Sequence, residues 1–279
     1  MSDRPADEQI PKGNIIMKIG FIGCGNMGSA LARAVCSLGE HQVLVSDYAS
    51  EKALEFAKEY GATASTNERI AENCDLVFIA VKPNVYQSVL PTLKPYLSQN
   101  TVVVSIAAGI KIETVKELIG IDKKVIRIMP NTPVAYGEGM ITYCTDNLVT
   151  ANDEAAFLSA MRGAGLVDKI PEQLINAASA VAGCGPAFAY MFIEALADGA
   201  VECGLPRDKA LTYAAKTMLG ASKTLIESGK HPGKLKDEVC SPGGTTIKGV
   251  HALEEKGLRD AAISAVVAAY EKTVELGKK

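Results

Sequence analysis

The sequence predicts an α/β fold in which an N-terminal doubly wound parallel sheet is followed by an all-helical domain. Two observations predict the sheet: a glycine-rich turn that joins a short apolar strand to a helix, and an alternation of strand-like and helical segments up to about residue 170. A third observation, the loss of strand patterns from residue 171, predicts the helical domain. We therefore expect domains at 17–170 and 171–279, preceded by a polar, disordered extension at 1–16.

The first element is a strand with the apolar residues Ile19, Phe21 and Ile22, which leads through a G-x-G-x-x-G turn into a helix predicted over 26–38. The turn consists of Gly23, Cys24, Gly25, Asn26, Met27 and Gly28. In such a turn the first glycine permits a tight bend, the second lets the backbone approach a pyrophosphate, and the third lets the helix pack on the strand. Unpaired N–H groups at the helix start attract anions. An ordinary glycine turn is the alternative, but the context favours a Rossmann-type dinucleotide site.

A second strand, predicted over 42–46, ends at Asp47. This carboxylate follows the glycine turn by about 20 residues, where an acid commonly accepts a hydrogen bond from the ribose 2′-hydroxyl of a dinucleotide. Asp47 is therefore a candidate cofactor residue.

The remaining strands and helices of the predicted sheet alternate along the chain. Strands are predicted over 76–81, 102–106 and 125–129, and helices over 51–60, 84–96 and 111–119. Ligands of such sheets bind at the carboxyl ends of the strands, so the loops after these strands are where a site is expected.

The helix predicted over 186–203 carries its acids, Glu194, Asp198 and Glu202, in one narrow stripe and is otherwise almost wholly apolar. Such a helix must be covered on several sides, and a helical domain of this size has too little chain to cover it alone. We expect a second subunit to cover this helix, with a central position inside one subunit as the alternative. Further helices are predicted over 206–228 and 258–276.

A second glycine turn, residues 241–247, precedes another helix. Pro242 fixes the backbone, and the N–H groups of Gly244, Thr245 and Thr246 are expected to lie at the helix start without intrahelical partners. Such a nest suits a carboxylate, and Thr246 adds a hydroxyl that can donate or accept a hydrogen bond. A well-capped helix without a ligand is the alternative.

Composition excludes several classes of function. A net charge of −3 gives no basic field to attract nucleic acid. We expect no membrane span, since no apolar run approaches about 18 residues. The seven cysteines are scattered, which indicates reduced thiols in a cytoplasmic protein, and neither they nor the three histidines form a metal-binding pattern.

Residues 241–247, preceded by Leu235, Lys236 and Asp237, resemble the signature of the pyrroline-5-carboxylate reductase family. Further segments resemble that family in the same order: 21–28, 80–83, 107–109, 129–133, 183–187 and 205–206. The resemblance extends from residue 17 to about residue 277 and is specific as a combination, although the first glycine motif alone is not.

The resemblance implies a reductase that transfers hydride from NADPH or NADH to the cyclic imine 1-pyrroline-5-carboxylate and yields L-proline. It also implies a helical dimerisation domain, a homodimer and, in some members, a larger ring of dimers. Besides residues 23–27, it assigns cofactor contacts to Asn67, Ala80, Val81, Lys82, Pro83, Ile106, Ala107 and Ala108. It assigns substrate contacts to Ser241, Gly244, Thr245 and Thr246. The hydroxyl of Thr246 makes this residue the catalytic candidate. Lys82, at the carboxyl end of a predicted strand, could contact a cofactor phosphate or lie near the substrate, with a solvated loop lysine as the alternative.

Asp47 would repel the 2′-phosphate of NADPH, and no arginine lies nearby in the sequence, although Ser46 and Lys52 could partly compensate. We expect NADH to be accepted well, and the sequence leaves the preference between the two cofactors open.

Two rival functions remain. A β-hydroxyacid dehydrogenase would place a catalytic lysine on the helix after a glycine loop, but the segment 186–203 contains no lysine. A non-catalytic dinucleotide sensor would keep the first glycine turn and would not need residues 241–246.

Overall fold

The structure, a computed structural model, describes residues 16–277. The chain divides into two compact units: one takes the chain up to Gly183 together with the segment from Tyr270, and the other is Cys184–Ala269. The domain limits expected from the sequence stay a prediction, because a compact unit need not coincide with a domain. The predicted extension, 1–16, lies outside the described residues except for Ile16.

An eight-stranded sheet forms the centre of the first unit within residues 16–277, in the order β3-β2-β1-β4-β5-β6-β7-β8. The strands are β1 (Lys18–Ile22), β2 (Gln42–Ser46), β3 (Thr63–Ala64), β4 (Leu76–Ile79), β5 (Val102–Ser105), β6 (Lys124–Met129), β7 (Gly139–Thr145) and β8 (Gly165–Lys169). Strands β1 to β6 are parallel, as predicted. Strand β7 runs antiparallel to β6, and β8 pairs parallel to β7, so the sheet is mixed at this edge.

Helices of the first unit connect these strands, and one more follows β8. They are α1 (Asn26–Cys36), α2 (Ser50–Tyr60), α3 (Asn67–Asn73), α4 (Tyr86–Leu93), α5 (Ile112–Ile119), α6 (Ala151–Met161) and α7 (Ile175–Ala182). Short 3₁₀ turns lie at Pro83–Val85, Thr132–Tyr136 and Glu172–Leu174. The helix predicted over 84–96 thus begins as a 3₁₀ turn and ends at Leu93.

Both faces of the sheet are buried, because side chains of successive strand residues point to opposite faces. One face places Phe21 and Phe78, whose rings stack 4.5 Å apart, in the same cluster as Leu31 of α1. The other places Val77 of β4 in a cluster with Leu90 of α4. Helices therefore cover the sheet on both sides, which confirms the doubly wound fold.

The strand order creates a crevice beside β1. Strand β1 lies between β2 and β4, so the chain runs outward to β3 and then crosses back to β4. Ligands of doubly wound sheets bind at the carboxyl ends of the strands on either side of such a reversal. The fold thus places the expected site where β1 and β4 end.

The second unit is helical. Its helices are α8 (Gly185–Glu202), α9 (Arg207–Ser228), α10 (Pro232–Val239), α11 (Thr245–Glu255) and the first part of α12 (Leu258–Leu276). Helices α8 and α9 pack through Ala197, Ala210 and Ala214, which are buried. Much of the apolar surface of α8 is nevertheless exposed in the single chain: Tyr190 is 61% and Met191 70% exposed.

One stretch of the described chain, Glu172–Glu202, is long and apolar enough to cross a membrane by length and composition. The expectation that no apolar run approaches about 18 residues was therefore wrong. The finding indicates a membrane span only weakly, because an apolar helix that packs against another protein surface has the same composition.

Candidate functional site

The first glycine turn follows β1 directly, and two of its glycines are required by close packing. Gly23 has a φ of +109°, and a Cβ there would lie 2.6 Å from the carbonyl oxygen of Ala80. A Cβ on Gly28 would overlap the Gly23 carbonyl oxygen and lie 2.8 Å from the Ala80 Cβ. These two positions hold the turn, β4 and α1 together, and a side chain at either would separate them.

Gly25 differs from both. Its φ is −75°, which any residue adopts, and no atom lies within 4 Å of the position where its Cβ would be. The protein itself therefore does not require glycine at this position. A ligand that approaches the backbone closely would require it, because only glycine leaves that space open.

The start of α1 fits the pyrophosphate of a dinucleotide. Gly25 is the N-cap residue, and no side chain caps the helix. The first turn of α1 contains no acidic residue. Free N–H groups and the positive end of the helix dipole thus face the open space above Gly25.

Asp47 lies beside this turn and is held by two backbone amides. Its Oδ2 accepts a hydrogen bond of 2.7 Å from the Cys24 N–H, and its Oδ1 accepts one of 3.0 Å from the Ala49 N–H. The Gly23 N–H donates to the Ser46 carbonyl oxygen at 2.8 Å. The end of β2 and the glycine turn are therefore joined, with the predicted acid at their junction.

Asn67 opens α3 near the same junction. Its Oδ1 accepts a hydrogen bond of 2.6 Å from the Ser46 hydroxyl. Since this bond occupies the oxygen, the amide nitrogen of Asn67 carries the donors that remain for a ligand.

The predicted residues after β4 and β5 lie at the same edge of the sheet. Ala80 donates its N–H to the Ile22 carbonyl oxygen at 2.8 Å, and Val81 follows it. Lys82 and Pro83 are exposed at the start of the 3₁₀ turn. Because β5 pairs with β4, the loop of Ile106, Ala107 and Ala108 lies next to them. The structure thus brings the cofactor candidates of the first unit to one edge.

Sequence reasoning missed Tyr86, which lies beneath these loops. It is 1% exposed, and its hydroxyl donates to the Ile79 carbonyl oxygen at 2.9 Å and lies 3.1 Å from the Ser105 hydroxyl. Burial raises its pKa to about 12. Tyr86 ties the ends of β4 and β5 together, and its polar sequence neighbours, Gln87 and Ser88, give no signal that it is buried.

A buried arginine was also missed. Arg127 on β6 is 2% exposed and donates to Glu172 Oε1 at 3.1 Å and to Asn176 Oδ1 at 3.2 Å. The same Glu172 oxygen accepts a bond of 2.8 Å from the Ile112 N–H at the start of α5. These bonds fix the segment before α7 to the sheet.

The second glycine turn lies in the helical unit, between α10 and α11. Gly243 has a φ of +70°, so a left-handed residue forms the turn. The Gly244 N–H donates to the Ser241 carbonyl oxygen at 3.0 Å, so the expectation that this N–H is free was wrong. A turn of this kind closes on itself by such a bond.

The rest of the predicted nest is present at the start of α11. Thr245 is its first residue, Gly244 is the N-cap without a side-chain cap, and the first turn contains no acid. The N–H groups of Thr245, Thr246 and Ile247 therefore have no partners within the helix. A Cβ on Gly244 would overlap the Ser241 hydroxyl oxygen, so this hydroxyl lies against the turn. Both threonines are exposed in the single chain.

Within residues 16–277, no group of three or more His, Cys, Asp or Glu side chains could hold a metal ion. All seven cysteines are free thiols. Burial, and next the charge of Asp47, raise the pKa of the Cys24 thiol to about 11. This thiol in the first glycine turn is therefore neutral at ordinary pH.

Two family models match the chain. The model described as pyrroline-5-carboxylate reductase dimerisation matches residues 172–276, and the model described as NADP oxidoreductase coenzyme F420-dependent matches residues 18–109. The pyrroline-5-carboxylate reductase of Escherichia coli K12 is 42% identical over 265 residues, which cover 94% of this chain and 98% of that one. The enzyme of the same name from Arabidopsis thaliana is 40% identical, covering 94% and 96%.

Solved structures agree. A Plasmodium falciparum pyrroline carboxylate reductase with NADP bound superposes with a TM-score of 0.85 at 34% identity, covering 94% of this chain and 98% of that one. A Streptococcus pyogenes 1-pyrroline-5-carboxylate reductase superposes with a TM-score of 0.85 at 32% identity, covering 94% of this chain and 100% of that one. With its doubly wound dinucleotide cradle, its helical region and relatives matched along almost their full length, the chain belongs to the pyrroline-5-carboxylate reductase family.

Proposed function

We propose that this chain reduces the C=N bond of 1-pyrroline-5-carboxylate with NAD(P)H and releases L-proline. The observation that carries the proposal is that the chain has two anion sites. The first unit has a pyrophosphate cradle at the start of α1. The second unit has a free helix start at α11, with hydroxyls at Ser241 and Thr246 beside it. A dinucleotide sensor needs only the first of these. A reductase of a small cyclic acid needs both.

The cofactor, when bound, supplies the hydride. The space over Gly25 and the N–H groups of Asn26 and Met27 hold its pyrophosphate, and Asp47 accepts hydrogen bonds from the ribose. Asn67 adds a donor near the ribose. The loops of residues 80–83 and 106–108 contact the other half of the dinucleotide. Lys82 adds a positive charge at the end of β4.

The substrate carboxylate binds at the start of α11. The N–H groups of Thr245 and Thr246 donate to it, and the helix dipole favours its charge. Ser241 and Gly244 shape the turn around it. Charge-assisted hydrogen bonds of this kind fix the position of a small ring, which is much of what catalysis requires here.

Thr246 orients the imine. Its hydroxyl forms a hydrogen bond with the ring nitrogen, so that the imine carbon points in one direction. Protonation of this nitrogen makes the carbon a better hydride acceptor, and solvent supplies the proton, because an aliphatic hydroxyl is too weak an acid. Thr246 therefore acts by position rather than by proton transfer.

We propose that the protein works as a homodimer in the cytoplasm, with a larger ring of dimers as the alternative assembly. The exposed apolar residues of α8, such as Met191, support a partner subunit on this surface. Covering that surface by a partner also accounts for the apolar stretch Glu172–Glu202 without a membrane.

A steady-state assay tests the proposal. The purified chain is mixed with 1-pyrroline-5-carboxylate and either NADH or NADPH, and loss of the reduced nicotinamide is compared with proline formed. We expect one proline for each cofactor oxidised. Binding of cofactor without substrate-dependent oxidation would favour the sensor and refute the reductase.

A further inference from the structure

We infer that Asp47 makes this chain prefer NADH over NADPH, an inference that rests on the proposed use of a nicotinamide cofactor. The P. falciparum relative was solved with NADP bound. The preference depends on how the carboxylate is held, on what it can still bind, and on which charges surround it.

The carboxylate of Asp47 is fixed in place. Each oxygen accepts one backbone N–H, from Cys24 at 2.7 Å and from Ala49 at 3.0 Å. A free surface aspartate can rotate away from a phosphate, but here rotation would break the bond to the glycine turn. The negative charge therefore stays at the end of β2, where the ribose of a dinucleotide lies.

The hydrogen-bond acceptor sites of Asp47 that remain free match a ribose diol. A carboxylate has about four acceptor sites and no donor, and two sites are occupied by the amides. The two that remain can accept the 2′- and 3′-hydroxyls of NADH. The 2′-phosphate of NADPH is itself an anion and an acceptor, so it gains no hydrogen bond there and is repelled.

The neighbourhood offers a 2′-phosphate no fixed positive charge, and its remaining donors are the Asn67 amide and the first N–H groups of α2. The Ala49 N–H, an obvious donor for it, is already bonded to Asp47. Residues 46–51 contain no lysine or arginine, and Glu51 adds an acid in the first turn of α2. Lys52 is the countercharge: it is close enough to lower the pKa of Cys24, against the larger effects of burial and Asp47. Lys52 is exposed and its stem is flexible, so it offsets the fixed charge of Asp47 only in part.

Calorimetric titration with ADP-ribose and with 2′-phospho-ADP-ribose tests the inference, because neither compound contains the nicotinamide and neither requires turnover. We expect ADP-ribose to bind on the order of tenfold more tightly. Asp47→Asn keeps the shape of the side chain and one of its two hydrogen bonds from backbone N–H groups, but it removes the charge. The ratio of the two affinities should therefore fall to about one. Lys52→Gln should raise the ratio. Glu51→Gln, the matched control, removes a nearby exposed charge and should change it by less than about twofold.

Equal affinities in the wild type, or an unchanged ratio in Asp47→Asn, would overturn the inference. Should Asp47→Asn fail to fold, a salt series on the wild type replaces it: a repulsion shrinks as salt screens it, and a constant ratio would refute it. The proposed function fails separately. A chain that binds ADP-ribose selectively but never reduces the imine refutes the reductase alone, whereas faster reduction with NADPH refutes the preference alone.

Discussion

Gly25→Ser should raise the stability of this protein slightly and weaken its cofactor binding at the same time. The backbone of Gly25 is extended, and its Cβ would meet no atom within 4 Å, so the fold accepts the side chain. Serine is a better N-cap than glycine by a few tenths of a kcal/mol. The same hydroxyl would occupy the free N–H groups of α1 and the space where the pyrophosphate approaches.

Gly28→Ala is the matched comparison. Its Cβ would lie 2.8 Å from the Ala80 Cβ and would overlap the Gly23 carbonyl oxygen, so α1 must move outward. Overpacking of this kind costs about 1–3 kcal/mol. We expect Gly28→Ala to lose both stability and cofactor affinity, whereas Gly25→Ser should lose only affinity, by about tenfold or more, equivalent to about 1.4 kcal/mol.

Denaturant unfolding measures the stability of both variants, and fluorescence titration with NADH measures their affinity. The decisive result is a Gly25→Ser variant that is more stable than the wild type but binds NADH more weakly. Wild-type affinity in Gly25→Ser would show that no pyrophosphate approaches this backbone. Wild-type stability in Gly28→Ala would show that the contact with Ala80 is not a tight one.

Three further results are expected. Thr246→Ala should lower kcat/KM for 1-pyrroline-5-carboxylate about 10- to 150-fold with cofactor affinity nearly unchanged, and Thr246→Ser should retain much of the activity; a fully active alanine variant would remove the hydroxyl from the mechanism. Met191→Lys, at a residue 70% exposed in the single chain, should shift the dimer towards monomer in light scattering, while Glu194→Gln should not; an unchanged dimer would move the interface elsewhere on the protein. The pKa of Asp153 is lowered: burial raises it, but hydrogen bonds from Lys124 and Thr150 outweigh that effect. Its stabilisation is therefore present above the unfolded pKa and lost as pH falls below about 4, and Asp153→Asn should flatten acid unfolding curves there.

Local patterns predicted the parallel part of the fold closely. Strand β2 and helix α12 have the predicted limits, because an apolar run or a helical repeat ends where its own residues change. Strands β3 and β8 were missed because such a prediction needs a local apolar pattern. The first has two residues, and the second is a short, largely exposed edge strand, so neither gives a clear apolar pattern.

The candidate site was predictable where a motif is contiguous. The turn at residues 23–28 and Asp47 were found because each lies directly after a strand. The free N–H of Gly244 was predicted wrongly, since the bond to Ser241 depends on how the turn closes. Arg127 and Glu172 gave no signal, because a pair 45 residues apart is recognisable only when the chain has folded.

The sequence by itself determined the family, the doubly wound sheet and the positions of both glycine turns. Each of these follows from neighbouring residues and their conformational preferences. Only the tertiary structure decided that Gly23 and Gly28 are required by packing while Gly25 is left for a ligand, and that two amides hold Asp47. Those distinctions depend on distances between atoms on different strands, and a linear sequence contains no such distances.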